Sequence, residues 1–169
     1  MISSKITGGF TGSPKIPGDK SISHRSIIIP SISKGICHVN NILKSEDVLH
    51  TLNAFKQMGV KIDELEEKIV IYGNGLNSLQ KPINDIYLGN SGTSARLLIG
   101  LLASQNFSSL ITGDKSLSSR PMKRITDPLK KMNAVINTTD GKLPIKVNGT
   151  ELKNAKIDIK LPSAQIKSG

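Results

Sequence analysis

A unit of about seventy residues occurs twice in this chain and begins a third time. Residues 45–62 lie over residues 119–136 at an offset of 74. Met58 then falls on Met132, Phe55 on Leu129, Val48 on Met122 and Val60 on Ala134. At the same offset Lys68 and Ile69 fall on Lys142 and Leu143, and Asn74-Gly75 falls on Asn148-Gly149. A glycine turn that runs from Gly18 to Arg25 recurs 71 positions on, from Gly89 to Arg96. Residues 85–91 match residues 158–164 at an offset of 73. One match is a coincidence; several in order at nearly constant spacing mark a repeated structural unit. Such a chain cannot fold as an arbitrary set of elements. Each copy has to bury one face, and its neighbours have to supply the cover.

Each copy reads strand, turn, helix, strand, helix, strand, strand. In the first copy, residues 21–33 suit a helix with Pro30 near its end, capped by Asp19 or Ser21. Residues 35–43 read as a strand with Cys37 and Val39 alternating. Ser45 followed by Glu46 and Asp47 reads as a hydroxyl cap with two acids in the first helical turn. Val48, Leu49, Leu52, Phe55 and Met58 then fall at helical spacing, and Gly59 closes that helix. Residues 60–62 and 68–72 read as a strand pair, and residues 73–75 as a turn. The second copy opens with a strand at 86–88 and has its apolar helix body at 97–103. Pro121 is expected in the first turn of its second helix. Residues 2–11 read as a separate first strand and a crossing linker. The third copy starts at 158–169 with its turn but not its helix, so the sequence reads as a truncated piece.

The core has to be aliphatic, because the 169 residues include three Phe, two Tyr and no Trp. Twenty-three Lys and Arg against thirteen Asp and Glu give a formal charge of +10 and point to an anionic partner. The basic residues are scattered and the aromatics few, which argues against nucleic acid and suits small phosphorylated molecules. Cys37 is the only cysteine, so no internal disulfide can form, and it reads as a small buried residue. No apolar run is long enough for a membrane span. His24, His38 and His50 show no metal spacing. His24 reads as a packed side chain, and Glu46 with Asp47 as a helix start.

Four stretches carry polar chemistry. Pro17-Gly18-Asp19-Lys20-Ser21-Ile22-Ser23-His24-Arg25 sets an ammonium, hydroxyls and a guanidinium at a helix start. It reads either as an anion site or as a capped helix with solvated cations. Gly89-Asn90-Ser91-Gly92-Thr93-Ser94-Ala95-Arg96 allows a ligand close to Gly92, or is an ordinary capped turn. Arg120, beside Pro121, stands at the helix end that a cation does not stabilise, which favours a shared anion. Ser163-Ala164-Gln165 opens the third turn.

In this order and spacing the four stretches closely resemble the 3-phosphoshikimate 1-carboxyvinyltransferase (EPSP synthase) family, over essentially the whole chain. The resemblance implies an α/β fold, a pseudo-threefold inside-out barrel of βαβαββ units, incomplete in this chain. Residues 1–13 would start one discontinuous domain; residues 14–169 would build two units of the second domain and begin its third. It implies transfer of the enolpyruvyl group of phosphoenolpyruvate to the 5-hydroxyl of shikimate 3-phosphate, with release of phosphate. No metal or organic cofactor is implied, and the whole protein would be a cytoplasmic monomer without nucleic-acid or membrane partners. Carried over by motif, Lys20, Ser21, Arg25, Ser163, Ala164 and Gln165 would bind shikimate 3-phosphate. Lys20, Asn90, Gly92, Thr93, Arg120 and Gln165 would form the phosphoenolpyruvate site. Lys20 would touch both substrates and take part in proton transfer.

Two positions depart from some members: Ala164 stands where some have Ser, and Leu97 where some have Pro. The family's catalytic carboxylates and several cations lie beyond the part matched here, so the 169-residue chain alone is expected to be inactive and marginally stable. Two other readings compete. One is the related UDP-N-acetylglucosamine enolpyruvyl transferase, which has a different lysine motif and a loop cysteine that Cys37 does not match. The other is a non-catalytic basic α/β module that binds nucleic acid.

Overall fold

Asp19 starts the first helix. Its Oδ1 accepts a hydrogen bond from the Ile22 N–H at 2.7 Å, and α1 runs from Lys20 to Ser31. Gly18 is needed here for close approach rather than for a left-handed backbone. A Cβ on it would lie 2.2 Å from the Asn41 carbonyl oxygen. The computed structural model describes residue 8, residues 11–66 and residues 68–158. The strand and linker read at residues 2–11 therefore fall almost wholly outside the described residues. So does the third turn at Ser163, Ala164 and Gln165.

In the first unit α1 is followed by β1 (Lys34–Asn40), α2 (Glu46–Gln57), β2 (Lys61–Glu64) and β3 (Lys68–Asn74). Ser45 holds the N-cap position of α2, but its hydroxyl makes no capping bond. It is buried without a partner among the described residues. The acids Glu46 and Asp47 in the first turn are left to offset the helix dipole. The turn expected at 73–75 shrinks to Gly75, because Gly73 and Asn74 remain in β3 and pair with Gly35 and Lys34. Cys37 is half-buried rather than buried.

The second unit comprises β4 (Ile86–Tyr87), α3 (Gly92–Ala103), β5 (Ser108–Thr112), α4 (Lys115–Ser119), α5 (Lys123–Lys131), β6 (Val135–Thr139) and β7 (Lys142–Asn148). Pro121 does not lie in the first turn of α5. It precedes Met122, which occupies the N-cap position, and Arg120 ends the short helix α4. Arg120 therefore sits in a corner between two helices instead of directly at a helix start. Asp114 creates that corner by capping α4, accepting from the Leu117 N–H at 2.6 Å.

The sheets show the repeat directly. The first has the order β1-β3-β2, and the second β4-β5-β7-β6. β5, β7 and β6 thus reproduce β1, β3 and β2, all antiparallel, while β4 adds a parallel edge to β5. The hydrogen bonds between elements repeat as well. Val60 N donates to Phe55 O and Ala134 N to Leu129 O, each at 3.0 Å. Gly75 N donates to Ser33 O at 2.9 Å and Gly149 N to Phe107 O at 3.0 Å. The residue that ends the second helix of each unit is left-handed: Gly59 at φ 84° and Asn133 at φ 71°. Asparagine is the side chain that best tolerates this conformation. The match is not complete: α4 has no counterpart between β1 and α2. Lys15, Ile16 and Pro17, where a counterpart of β4 belongs, form no strand.

One continuous apolar cluster joins the units. Ile27, Leu52, Phe55, Met58 and Ile71 from the first meet Ile86, Leu88, Leu98, Leu102 and Ile111 from the second. The helices carry this shared core and the sheets cover it, so the α/β arrangement is inside-out. No helix among the described residues is long and apolar enough to cross a membrane.

Candidate active site

The repeat brings the N-terminal ends of α1 and α3 to one side of the shared core, with the α4–α5 corner beside them. Between them lies a cleft of about 420 Å³ lined by Lys20, Glu46, Asp47, Asn90, Ser91, Gly92, Thr93, Arg96 and Arg120. Five of the residues predicted from sequence, Lys20, Asn90, Gly92, Thr93 and Arg120, meet here although they come from three separate segments. Ser21 and Arg25 lie one turn apart on the exposed face of α1, outside the lining of this cleft.

Charge dominates the lining. Lys20 Nζ is ion-paired with Asp47 Oδ2. Arg120 donates to the side-chain oxygen of Asn90 and, at 3.3 Å, to Ser116 Oγ. Arg96 donates back to the Gly92 carbonyl at 3.1 Å. The two guanidiniums converge on the hydrogen side of Gly92. A Cβ there would lie 2.9 Å from Arg96 Nη1 and 3.0 Å from Arg120 Nη1. Burial, then the charges of Arg124 and Arg120, lower the pKa of Arg96. Gathering like charges in this way costs free energy unless an anion offsets it. The α3 N-terminus adds the positive end of its dipole, and Ser91 caps it by accepting from Ser94 N at 3.3 Å. The site can therefore take a phosphate or carboxylate, with a lysine at its edge.

Beneath the cleft lies a buried polar cluster. His24 Nδ1 is 2.9 Å from Thr51 Oγ1 and 3.2 Å from Ser94 Oγ. Thr51 Oγ1 is 2.6 Å from Ser94 Oγ, which is 2.7 Å from Ser91 Oγ. His24 is fully buried, and its Nε2 has no partner among the described residues. Burial above all, and then the charge of Lys20, push its pKa down, with Asp47 opposing.

The EPSP synthase (3-phosphoshikimate 1-carboxyvinyltransferase) family model matches residues 5–169. The chain belongs to the EPSP synthase family. It is 50% identical over 165 residues to the 3-phosphoshikimate 1-carboxyvinyltransferase of Ruthia magnifica subsp. Calyptogena magnifica, which covers 97% of this chain and 38% of that relative. It is 48% identical over 168 residues to the Oceanobacillus iheyensis protein of the same name, covering 96% and 38%. Among solved structures, EPSP synthase from Acinetobacter baumannii superposes with a TM-score of 0.89 at 47% identity, over 93% of this chain and 37% of that one. The chain thus spans less than two fifths of the length of these EPSP synthases, and its architecture is an incomplete version of their fold.

The sequence motifs give some lining residues no substrate-binding role. The sequence marks Asp47 only as a helix start, since its pairing with Lys20 spans two helices. Arg96 stood in a recognised motif, but only the structure shows its guanidinium converging with that of Arg120 at Gly92. Thr51 and Ser94 carry no sequence signal for their contact with His24. A polar residue on an otherwise apolar helix face is the nearest thing to one.

Proposed function

We propose that this chain supplies one wall of a 3-phosphoshikimate 1-carboxyvinyltransferase active site. The whole enzyme transfers the enolpyruvyl group of phosphoenolpyruvate to the 5-hydroxyl of shikimate 3-phosphate and releases phosphate. The observation that carries this reading is the convergence of Lys20, Arg96 and Arg120 on the Asn90–Thr93 turn at a helix N-terminus. A substrate with a phosphate and a carboxylate needs several fixed donors around a backbone that it can approach closely. Gly92 leaves that approach open, Asn90 orients Arg120, and Thr93 borders the same pocket.

Lys20 lies at the edge of this pocket and on the helix that carries Ser21 and Arg25. In this reading it touches phosphoenolpyruvate on one side and shikimate 3-phosphate on the other. Ser21 and Arg25 face outward on α1, and in this reading they bind shikimate 3-phosphate together with Ser163, Ala164 and Gln165. The 5-hydroxyl oxygen bonds to the enolpyruvyl carbon and gives up its proton, while the methylene carbon gains a proton and becomes a methyl group. Loss of phosphate and of a methyl proton then restores the double bond. The Lys20 ammonium, held by Asp47, takes part in these proton movements and stabilises the charge of the departing phosphate. Residues 14–169 belong to one domain and residues 1–13 to the other. The enzyme works as a cytoplasmic monomer on small anions and without a metal or organic cofactor.

A chimera tests the reading. Residues 1–169 replace the matching part of the Ruthia magnifica relative. The folded chimera is expected to release phosphate from phosphoenolpyruvate only with shikimate 3-phosphate present, and Lys20→Met to cut the rate by about a thousandfold. A folded chimera without that activity, or one indifferent to Lys20→Met, overturns it.

A further inference from the structure

Lys20 and His24 lie one turn apart on α1, and Asp47 and Thr51 one turn apart on α2. The two helices are joined by two rungs: Lys20 to Asp47 at the cleft, and His24 to Thr51 beneath it. The upper rung is open to solvent on the lysine side, whose side chain is 51% exposed. The lower rung is fully buried. Thr51 also bonds Ser94, one turn into α3, and Ser94 bonds the helix cap Ser91. Gly92 and Thr93, the close-approach positions of the anion turn, lie between those two serines. The lower rung therefore ties the helix that carries the lysine to the helix that carries the turn, across the boundary between the repeats.

The donors and acceptors can be counted. Thr51 donates to the Asp47 carbonyl at 3.2 Å, so its oxygen is left to accept. The Ser91 and Ser94 hydroxyls can each donate along the serine–threonine chain. With the Thr51 proton on the Asp47 carbonyl, Nδ1–H of His24 donates to Thr51 and Nε2 carries the lone pair, without a partner among the described residues. A buried bare nitrogen is tolerated only if the contacts on the other side of the ring fix it there.

We propose that His24, Thr51 and Ser94 are positioning residues that hold Lys20 against the Asn90–Thr93 turn, so that one anion is gripped from both repeats at once. This rests on the reading of that cleft as the phosphoenolpyruvate site. None of the three lines the cleft, and they act through Lys20 and the α3 N-terminus.

Thr51→Val and Ser94→Ala each remove one hydroxyl at nearly constant volume, and Thr51→Ser restores it. In the chimera described above, Thr51→Val is expected to lower kcat about tenfold, with Thr51→Ser near the parent. In a Lys20→Met background the same substitution is expected to cost nothing further, because the group it positions is gone. An equal loss with and without Lys20, or no loss in either, overturns the proposal. A second measurement needs no substrate. In the ligand-free chimera, Thr51→Val is expected to shift the Lys20 Nζ resonance and speed its hydrogen exchange, and the His24 nitrogens to report protonated Nδ1 and bare Nε2. An unmoved Lys20 signal overturns the clamp. An inactive parent chimera with a Lys20 signal that does respond overturns only the substrate reading.

Discussion

Gly92 shows how one missing methyl group can shape a cleft. Its hydrogen faces Arg96 and Arg120, and a Cβ would press on the tips of both guanidiniums. These tips are flexible, so Gly92→Ala is expected to leave the fold intact and displace the donors. In the chimera its KM for phosphoenolpyruvate should rise about tenfold while the melting temperature stays within a degree or two. Steady-state kinetics beside a thermal scan check both. Gly18 is the opposite case, because its neighbour is the Asn41 backbone, which cannot swing aside. Gly18→Ala is expected to destabilise the chain by more than 2 kcal/mol, on the order seen for forced overpacking, read from urea unfolding. His24 supplies a pH dependence. Its folded-state pKa lies below its ordinary value because burial and Lys20 disfavour the imidazolium. The unfolded chain then binds the extra proton first, so stability is complete above about pH 6.5 and falls as the pH drops from there toward the folded-state pKa. Urea unfolding at pH 7.5 and pH 5 should show this loss, and His24→Gln should abolish that component.

At the scale of elements, the caps are local and testable. Asp19→Ala removes the acceptor of the Ile22 N–H and is expected to cost about 1 kcal/mol in urea unfolding, with Asp19→Asn close to the parent. The elements that rest on such local chemistry were legible in the sequence. Asp19 before α1, the helical spacing from Val48 to Met58, and Gly59 after α2 each announce themselves by residue type and period. Ser45 misled because a capping residue is recognised by type, whereas the bond depends on a rotamer that packing decides. The α4–α5 corner misled for a related reason. Pro121 suits a first helical turn, but Asp114 caps an earlier short helix, and the chain has to turn between the two. The cleft was legible as motifs, since each lies at a helix start or corner that sequence can locate. The pairing of Lys20 with Asp47 and the buried rung below it were not legible. They depend on how α1, α2 and α3 pack, and nothing in the period of any one helix encodes the rotation of its neighbour.

On the scale of the molecule, two repeats share a core but leave parts of their surfaces apolar. Ile22 is 59% exposed and Ile29 55%, both on the outer side of α1, and Ile36 on the edge strand β1 is 63% exposed. A helix that is apolar on both sides is one that expects cover on both sides. Among the described residues β1 pairs only with β3, so its other edge presents backbone donors and acceptors there. Together these make the outer side of α1 and β1 an adhesive surface in the 169-residue polypeptide, the same side that carries Ser21 and Arg25. The polypeptide is therefore expected to self-associate at micromolar concentration and to release no phosphate from the two substrates at an enzymic rate. Ile29→Lys with Ile36→Lys should reduce association without lowering stability, because neither side chain is part of the buried core. Sedimentation velocity on the parent and the double variant separates the two ideas. If association persists after both lysines are introduced, the contact lies elsewhere, on β4, β6 or the exposed Ile83. A parent that stays monomeric would show that two repeats suffice and that the apolar face of α1 is tolerated in water.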